Sequence, residues 1–161
     1  MIAEGGIAAL THRAVAAEAG VSKSSVTHHF ATIDELMTAA LTHSNHTYVA
    51  ELRDALGEDS STADLAALLA TRHNRDHTRA RAEYELHLMA TRRPALRPAA
   101  RARNEFLAGI ARHHTRDPVA VLAFTAEIDG MLLDALLNDA PINPHTLRAV
   151  MDQTLQIPTK P

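Results

Sequence analysis

The chain has 161 residues, 46% of them apolar, enough for one sizeable helical domain or a small domain joined to a larger one. Five aromatic residues and no Trp leave Ala, Leu, Val and Met to build the core, and the absence of Cys excludes disulfides and thiolate metal sites and fits a reducing cytoplasm. No run approaches the ~20 apolar residues of a membrane span and no signal peptide is evident, so a soluble intracellular protein is expected.

The net charge of −3 is unevenly spread. Residues 1–50 carry two bases (Arg13, Lys23) against four acids, residues 51–114 eleven Arg against nine acids, and residues 115–161 three bases against six acids. Five of the eleven histidines (His12, His28, His29, His43, His46) fall in the first stretch, where they add positive charge only when protonated.

Taken in order, Met1–Glu4 followed by Gly5-Gly6 reads as the end of a helix stopped by glycine. Ile7 and Leu10 lead to Thr11, the N-cap of a helix that presents Val15, Ala16 and Ala19 at helical spacing. Gly20 supplies a corner that needs φ > 0, and Val21 is expected to turn inward. Ser22 caps a second short helix, Lys23 to His29, which buries Val26 and Phe30, and the small Ala16 lets the two helices approach closely. This is the layout of a DNA-binding helix-turn-helix. Thr32 and Glu35 form a capping-box pattern. They open a long helix with Leu36, Met37, Ala40 and Leu41, continuing to about Leu56. Gly57–Ser61 is a polar break, and the domain junction is expected near residue 48.

Thr62 to Arg75 is amphipathic, with Leu65, Leu68 and Leu69 on one stripe, and Asp76 to Thr91 interleaves Tyr84, Leu86, Leu88 and Met89 with charge. Pro94 and Pro98 mark a break and a helix start. That helix runs to about His114 with Phe106, Leu107 and Ile110 inward. Pro118 opens the most apolar segment, to about residue 138. Asn143-Pro144 starts a last helix with Leu147, Val150, Met151 and Leu155, and Ile157–Pro161 is expected to fray. No strand pattern and no internal repeat appear.

The run AVAAEAGVSKSSVTHHF followed by ATIDELMTAAL resembles the DNA-binding region of the tetracycline-repressor (TetR/AcrR) family of bacterial regulators. The resemblance covers about forty residues. It implies an all-α protein with an N-terminal helix-turn-helix DNA-binding unit, residues 1–47, and a C-terminal helical ligand-binding and dimerisation domain, residues 48–161. The implied function is a ligand-responsive repressor acting as a homodimer on palindromic double-stranded DNA, with an unknown small-molecule effector, no membrane partner and no cofactor.

On the recognition helix, Lys23, Ser24, Ser25, Thr27 and His28 are the side chains able to reach base edges. Thr11 and Arg13, with the backbone N–H groups at both helix N-termini, are placed for phosphate, and Ser22 completes the DNA-binding candidates. Two departures stand out: Thr27 where the family commonly has Tyr, and Ile33 where it commonly has Lys. A full first helix also precedes Gly5 in that family. A shortened product, a misassigned start codon and a real loss all remain open. So does a second reading, a dimeric small-molecule-binding protein whose DNA-binding unit is incomplete.

The resemblance also implies that the last two helices pair with their copies in a four-helix bundle. Leu122, Ile128, Met131, Leu132, Leu136, Leu147, Val150 and Met151 exceed what one small domain covers. Gly130, costing about 1 kcal/mol relative to Ala in mid-helix, suits close helix approach. An intrachain core is the alternative. Tyr84, His87, Met89, Phe106 and Ile110 are candidate walls of a ligand pocket, or plain core. Arg92, Arg93, Arg97, Arg101 and Arg103 suit either an anionic partner or a solvated helix face. His73 and His77 stand at i, i+4, but no Glu lies between them as in H-E-x-x-H, and no metal is assigned. No phosphate loop, Ser/His/Asp set or paired carboxylates suggest an enzyme.

Overall fold

The computed structural model describes residues 5–56 and 61–157. The expectations for Met1–Glu4, for Gly57–Ser60 of the polar break and for the last four residues lie outside them. Among the described residues every regular element is helical and none is a strand. We number the helices α1 (His12–Glu18), α2 (Lys23–His29), α3 (Ile33–Ala55), α4 (Thr62–Arg75), α5 (His77–Arg92), α6 (Arg97–His114), α7 (Pro118–Leu137) and α8 (Pro144–Thr154). Short 3-10 turns occupy Ile7–Ala9 and Pro94–Leu96.

The chain forms two compact units, Met1–His46 with Thr78–Arg101, and Thr47–His77 with Ala102–Pro161. Thr78–Arg101, well past the junction expected from sequence, therefore packs with the helix-turn-helix.

Local chemistry sets the boundaries in the first unit. The Thr11 hydroxyl accepts from Ala14 N at 3.1 Å and opens α1. At its end Val21 N donates to Ala16 O (3.0 Å) and Gly20 N to Ala17 O (3.3 Å), with Gly20 at φ +65°. This is a Schellman closure, which needs the left-handed residue that Gly supplies. Ser22 Oγ then accepts from Ser25 N at 3.0 Å and starts α2. Thr32 caps α3 through Glu35 N (3.1 Å), while the Glu35 carboxylate reaches back to Ala31 N at 2.7 Å, one residue before the cap.

The core of this unit joins Leu10, Ala16, Val26, Leu36, Met37 and Leu41 to Leu86, Ala90 and Leu96, so α5 and the following turn complete what α1–α3 begin. Glu85 accepts from Ile7 N at 2.9 Å and ties the N-terminal turn to α5. Val21 departs from expectation. It is 49% exposed, because the closure that turns the backbone leaves its side chain outside the corner.

In the second unit the end of α3, α4, most of α6, α7 and α8 bury Leu52, Leu65, Leu69, Leu107, Phe124, Ile128, Leu147 and Met151. A capping box of Ser61 and Asp64 opens α4, and the Ser61 N–H and O–H hold the Asp64 carboxyl below its usual range. Asp117 caps α7 ahead of Pro118, and Asn143 caps α8 ahead of Pro144. Thr62 Oγ1 donates to the buried Asp152 carboxylate, locking the start of α4 onto α8, and Arg148 adds a second contact to Asp152 at 3.2 Å. No described helix is long and apolar enough to cross a membrane.

Candidate nucleic-acid interface

The two short helices present one polar face. Thr11, Arg13, Ser22, Lys23, Ser24, Ser25 and His28 are exposed, and Thr27 is half-buried. Lys23 and Arg13 have no carboxylate partner among the described residues, so both cations are open to phosphate or base edges. Ser22 is occupied in capping, and its hydroxyl also meets those of Ser24 (2.8 Å) and Ser25 (2.9 Å). Thr27 donates to Lys23 O at 2.8 Å and Ser24 O at 3.2 Å, so its proton is spent on its own helix and its oxygen is left only as an acceptor. His12, which sequence reasoning did not single out, donates a ring N–H to Phe30 O at 2.7 Å and braces the start of α1 against the end of α2.

The arginine run does not form one anion site. Arg93 pairs with Asp34, Arg97 donates to the carbonyls of Ala90 and Thr91 at the end of α5, and Arg103 is buried in the second unit. Arg92 and Arg101 stay exposed. Of the five candidate pocket residues, Tyr84, His87 and Met89 lie in the first unit and Phe106 and Ile110 in the second, all half-buried. Met89 packs on the first core, and Phe106 lies under the Arg53 guanidinium, 5.5 Å from its ring centre.

The second unit contains a charged interior that the sequence did not reveal. The buried Tyr48 ring has the Arg72 guanidinium 4.7 Å and the Arg103 guanidinium 5.2 Å from its centre. Glu51 pairs with Arg72 at 2.8 Å and Asp129 with Arg103 at 2.6 Å. Burial pushes the Tyr48 phenol above its usual range, partly offset by the two arginines. His73 and His77 bring their rings to 5.3 Å, with His77 Nδ1 3.5 Å from Asp139. Among the described residues no three ligand-type side chains converge as a metal site.

The expected interface residues divide by burial. Ile128, Leu132, Leu147 and Met151 are covered within the chain's own second unit. Met131, Leu136 and Val150 are half-buried, and Gly130 is exposed. Leu122 is 69% exposed. It belongs to a stripe of Val119, Leu122, Ala126, Gly130, Leu133 and Leu137, all exposed and spaced three or four residues apart on α7. Sequence reasoning missed four of these, because α7 is apolar nearly all round.

Residues 1–40 match the family model described as bacterial regulatory proteins, tetR family, and residues 57–156 match the tetracyclin repressor-like C-terminal domain. The chain belongs to the TetR family. Solved structures agree. The multidrug binding protein EbrR complexed with imidazole is 38% identical, over 98% of this chain and 90% of that one, with a TM-score of 0.82. EbrR complexed with ethidium is also 38% identical, over 95% and 90%, with a TM-score of 0.82. The TetR-family member SCO1917 from Streptomyces coelicolor A3 is 40% identical, over 94% and 90%, with a TM-score of 0.82. No curated protein matches the chain.

As a TetR-family protein it is a DNA-binding transcription regulator with a ligand-binding domain. Regulators of this family are generally not enzymes.

Proposed function

We propose that this chain is a ligand-responsive repressor acting in the cytoplasm as a homodimer on a palindromic operator. Residues 1–47 form the DNA-binding domain and residues 48–161 the ligand-binding and dimerisation domain. The observation that carries this reading is the α1–α2 corner. Its closure at Gly20 and its Ser22 cap hold Lys23, Ser24, Ser25 and His28 on one exposed face, free of carboxylate partners.

Dimerisation is supported by the exposed α7 stripe, a contiguous apolar strip of the kind that marks an interaction surface. The effector is proposed to be a small nitrogenous aromatic, since EbrR is described with imidazole and ethidium. Effector binding favours a dimer geometry that misplaces the two recognition helices relative to successive major grooves. The regulator has no catalytic step.

The test is a fluorescence-anisotropy titration of the chain against duplex DNA from upstream of its own gene. A scrambled duplex serves as control, two salt concentrations are used, and the titration is repeated with Lys23→Ala and with added ethidium. Selective, salt-sensitive binding that weakens on the substitution and is released by ethidium is the expected result. Binding no tighter than to the scrambled duplex overturns the repressor reading and leaves a ligand-binding dimer without a working DNA-binding unit.

A further inference from the structure

Residues 1–46 are a poor match for a polyanion, with two cations against four carboxylates. The folded unit is different. Thr78–Arg101 packs into it and brings six arginines against Glu83 and Glu85, so the unit as a whole is net positive by two. Its positive charge is borrowed from a segment distant in sequence.

That charge is not evenly placed. Arg79 is paired with Glu83 at 3.1 Å, and Arg97 is held by the carbonyls that end α5. Arg93 reaches across 59 residues to the carboxylate of Asp34, the second residue of α3 and five past the end of α2. Arg92, beside it, is exposed and has no ion-pair partner among the described residues. A groove of about 920 Å³ is lined by His29 at the end of the recognition helix, by Asp34 and Thr38 on α3, and by Ala95 just after the arginine pair. The end of α2, the start of α3 and the corner after α5 thus face one space.

We propose that the Arg92–Arg93 corner is a second phosphate-binding edge of this unit, gripping the DNA backbone beside the groove entered by α2. The proposal rests on the reading that the unit binds DNA. A guanidinium carries five donors, so Arg93 keeps a phosphate-facing side while Asp34 fixes its orientation, and Arg92 is free to make its own contact. DNA fits as the occupant because the unit is net positive, Arg92 is exposed without an ion-pair partner among the described residues, and the adjoining groove, lined also by Glu35, begins at His29 on the end of α2. Phosphate contacts of this kind set register and affinity without reading sequence.

The experiment is the same titration of the full chain, repeated across a series of salt concentrations with Arg92→Ala, Arg93→Ala, the double variant and Asp34→Asn, on both specific and scrambled duplexes. Each lost contact is expected to weaken binding on both duplexes alike and to reduce the slope of log K against log salt by about 0.9, the double variant by about twice that. Asp34→Asn removes a negative charge from the edge and tightens binding. Arg92 is the decisive position: a purely structural role for the corner leaves Arg92→Ala with wild-type affinity and slope, and that result overturns the inference. If Lys23→Ala weakens binding while the arginine variants do not, this inference fails and the DNA-binding reading stands. If the wild type binds neither duplex, both fall.

Discussion

Asn74, at the end of α4, holds the backbone of Ile142 by both ends of its amide: its Nδ2 donates to Ile142 O at 3.0 Å and its Oδ1 accepts from Ile142 N at 2.8 Å. The side chain reproduces one rung of a β-ladder inside a helical protein and pins the α7–α8 connection to α4. Asn74→Ala leaves a donor and an acceptor unmet beside the buried Ile142 side chain. The expected loss is about 2 kcal/mol in urea unfolding. Asn74→Asp keeps the acceptor, loses the donor and should fall between the two. A midpoint unchanged by Asn74→Ala would show that water replaces both bonds.

Glu127 on α7 accepts from the Thr154 hydroxyl on α8 and is held above the usual carboxylate range, mainly by burial. Between the ordinary value of 4.5 and the raised folded value, the native chain binds more protons than the unfolded one. Stability therefore falls as pH rises through that window. Glu127→Gln mimics the protonated form. It should abolish this slope and be more stable than wild type at neutral pH, with the difference vanishing below the ordinary carboxylate range. Urea unfolding at several pH values checks this, and a variant that keeps the wild-type slope would place the titrating group elsewhere.

The α7 stripe and the core beneath it should respond oppositely to substitution. Leu122→Glu with Leu133→Glu touches side chains that the single chain leaves in water. It is expected to convert a dimer to a monomer in sedimentation velocity while far-ultraviolet circular dichroism stays helical. Leu147→Ala opens a cavity in a fully enclosed site. It should cost about 3 kcal/mol of stability and leave association intact. A dimer that survives both glutamates would remove the stripe from the interface.

Sequence and structure agree most closely where a side chain acts on its own neighbourhood. Thr11 and Ser22 cap the helices they precede, Pro118 and Asn143-Pro144 open theirs, Gly20 takes its positive φ, and the helix limits fall within a residue or two of the pattern. Agreement ends where the outcome depends on distance through space. Nothing in the pattern of Thr78–Arg101 says that it completes the first core, because its apolar residues are interleaved with arginines that could face either way. On α7, periodicity marks an inward face only if the outward one is polar. Val119, Leu133 and Leu137 are therefore indistinguishable by sequence from the buried Ile128 and Leu132. The Tyr48 cluster draws on α3, α4, α6 and α7, and no local spacing encodes it.

The position of that ring gives the protein an optical property of its own. There is no Trp and there are two Tyr, so ultraviolet emission comes from phenols alone, and one of the two is Tyr48, enclosed between guanidiniums. A ring fixed in so asymmetric a field is expected to give a near-ultraviolet circular dichroism band that is lost when the second unit opens. No indole signal covers the absorption of an added aromatic dye. The arrival of such a dye, and any disturbance of the Arg72–Tyr48–Arg103 stack, can thus be followed in the unlabelled protein.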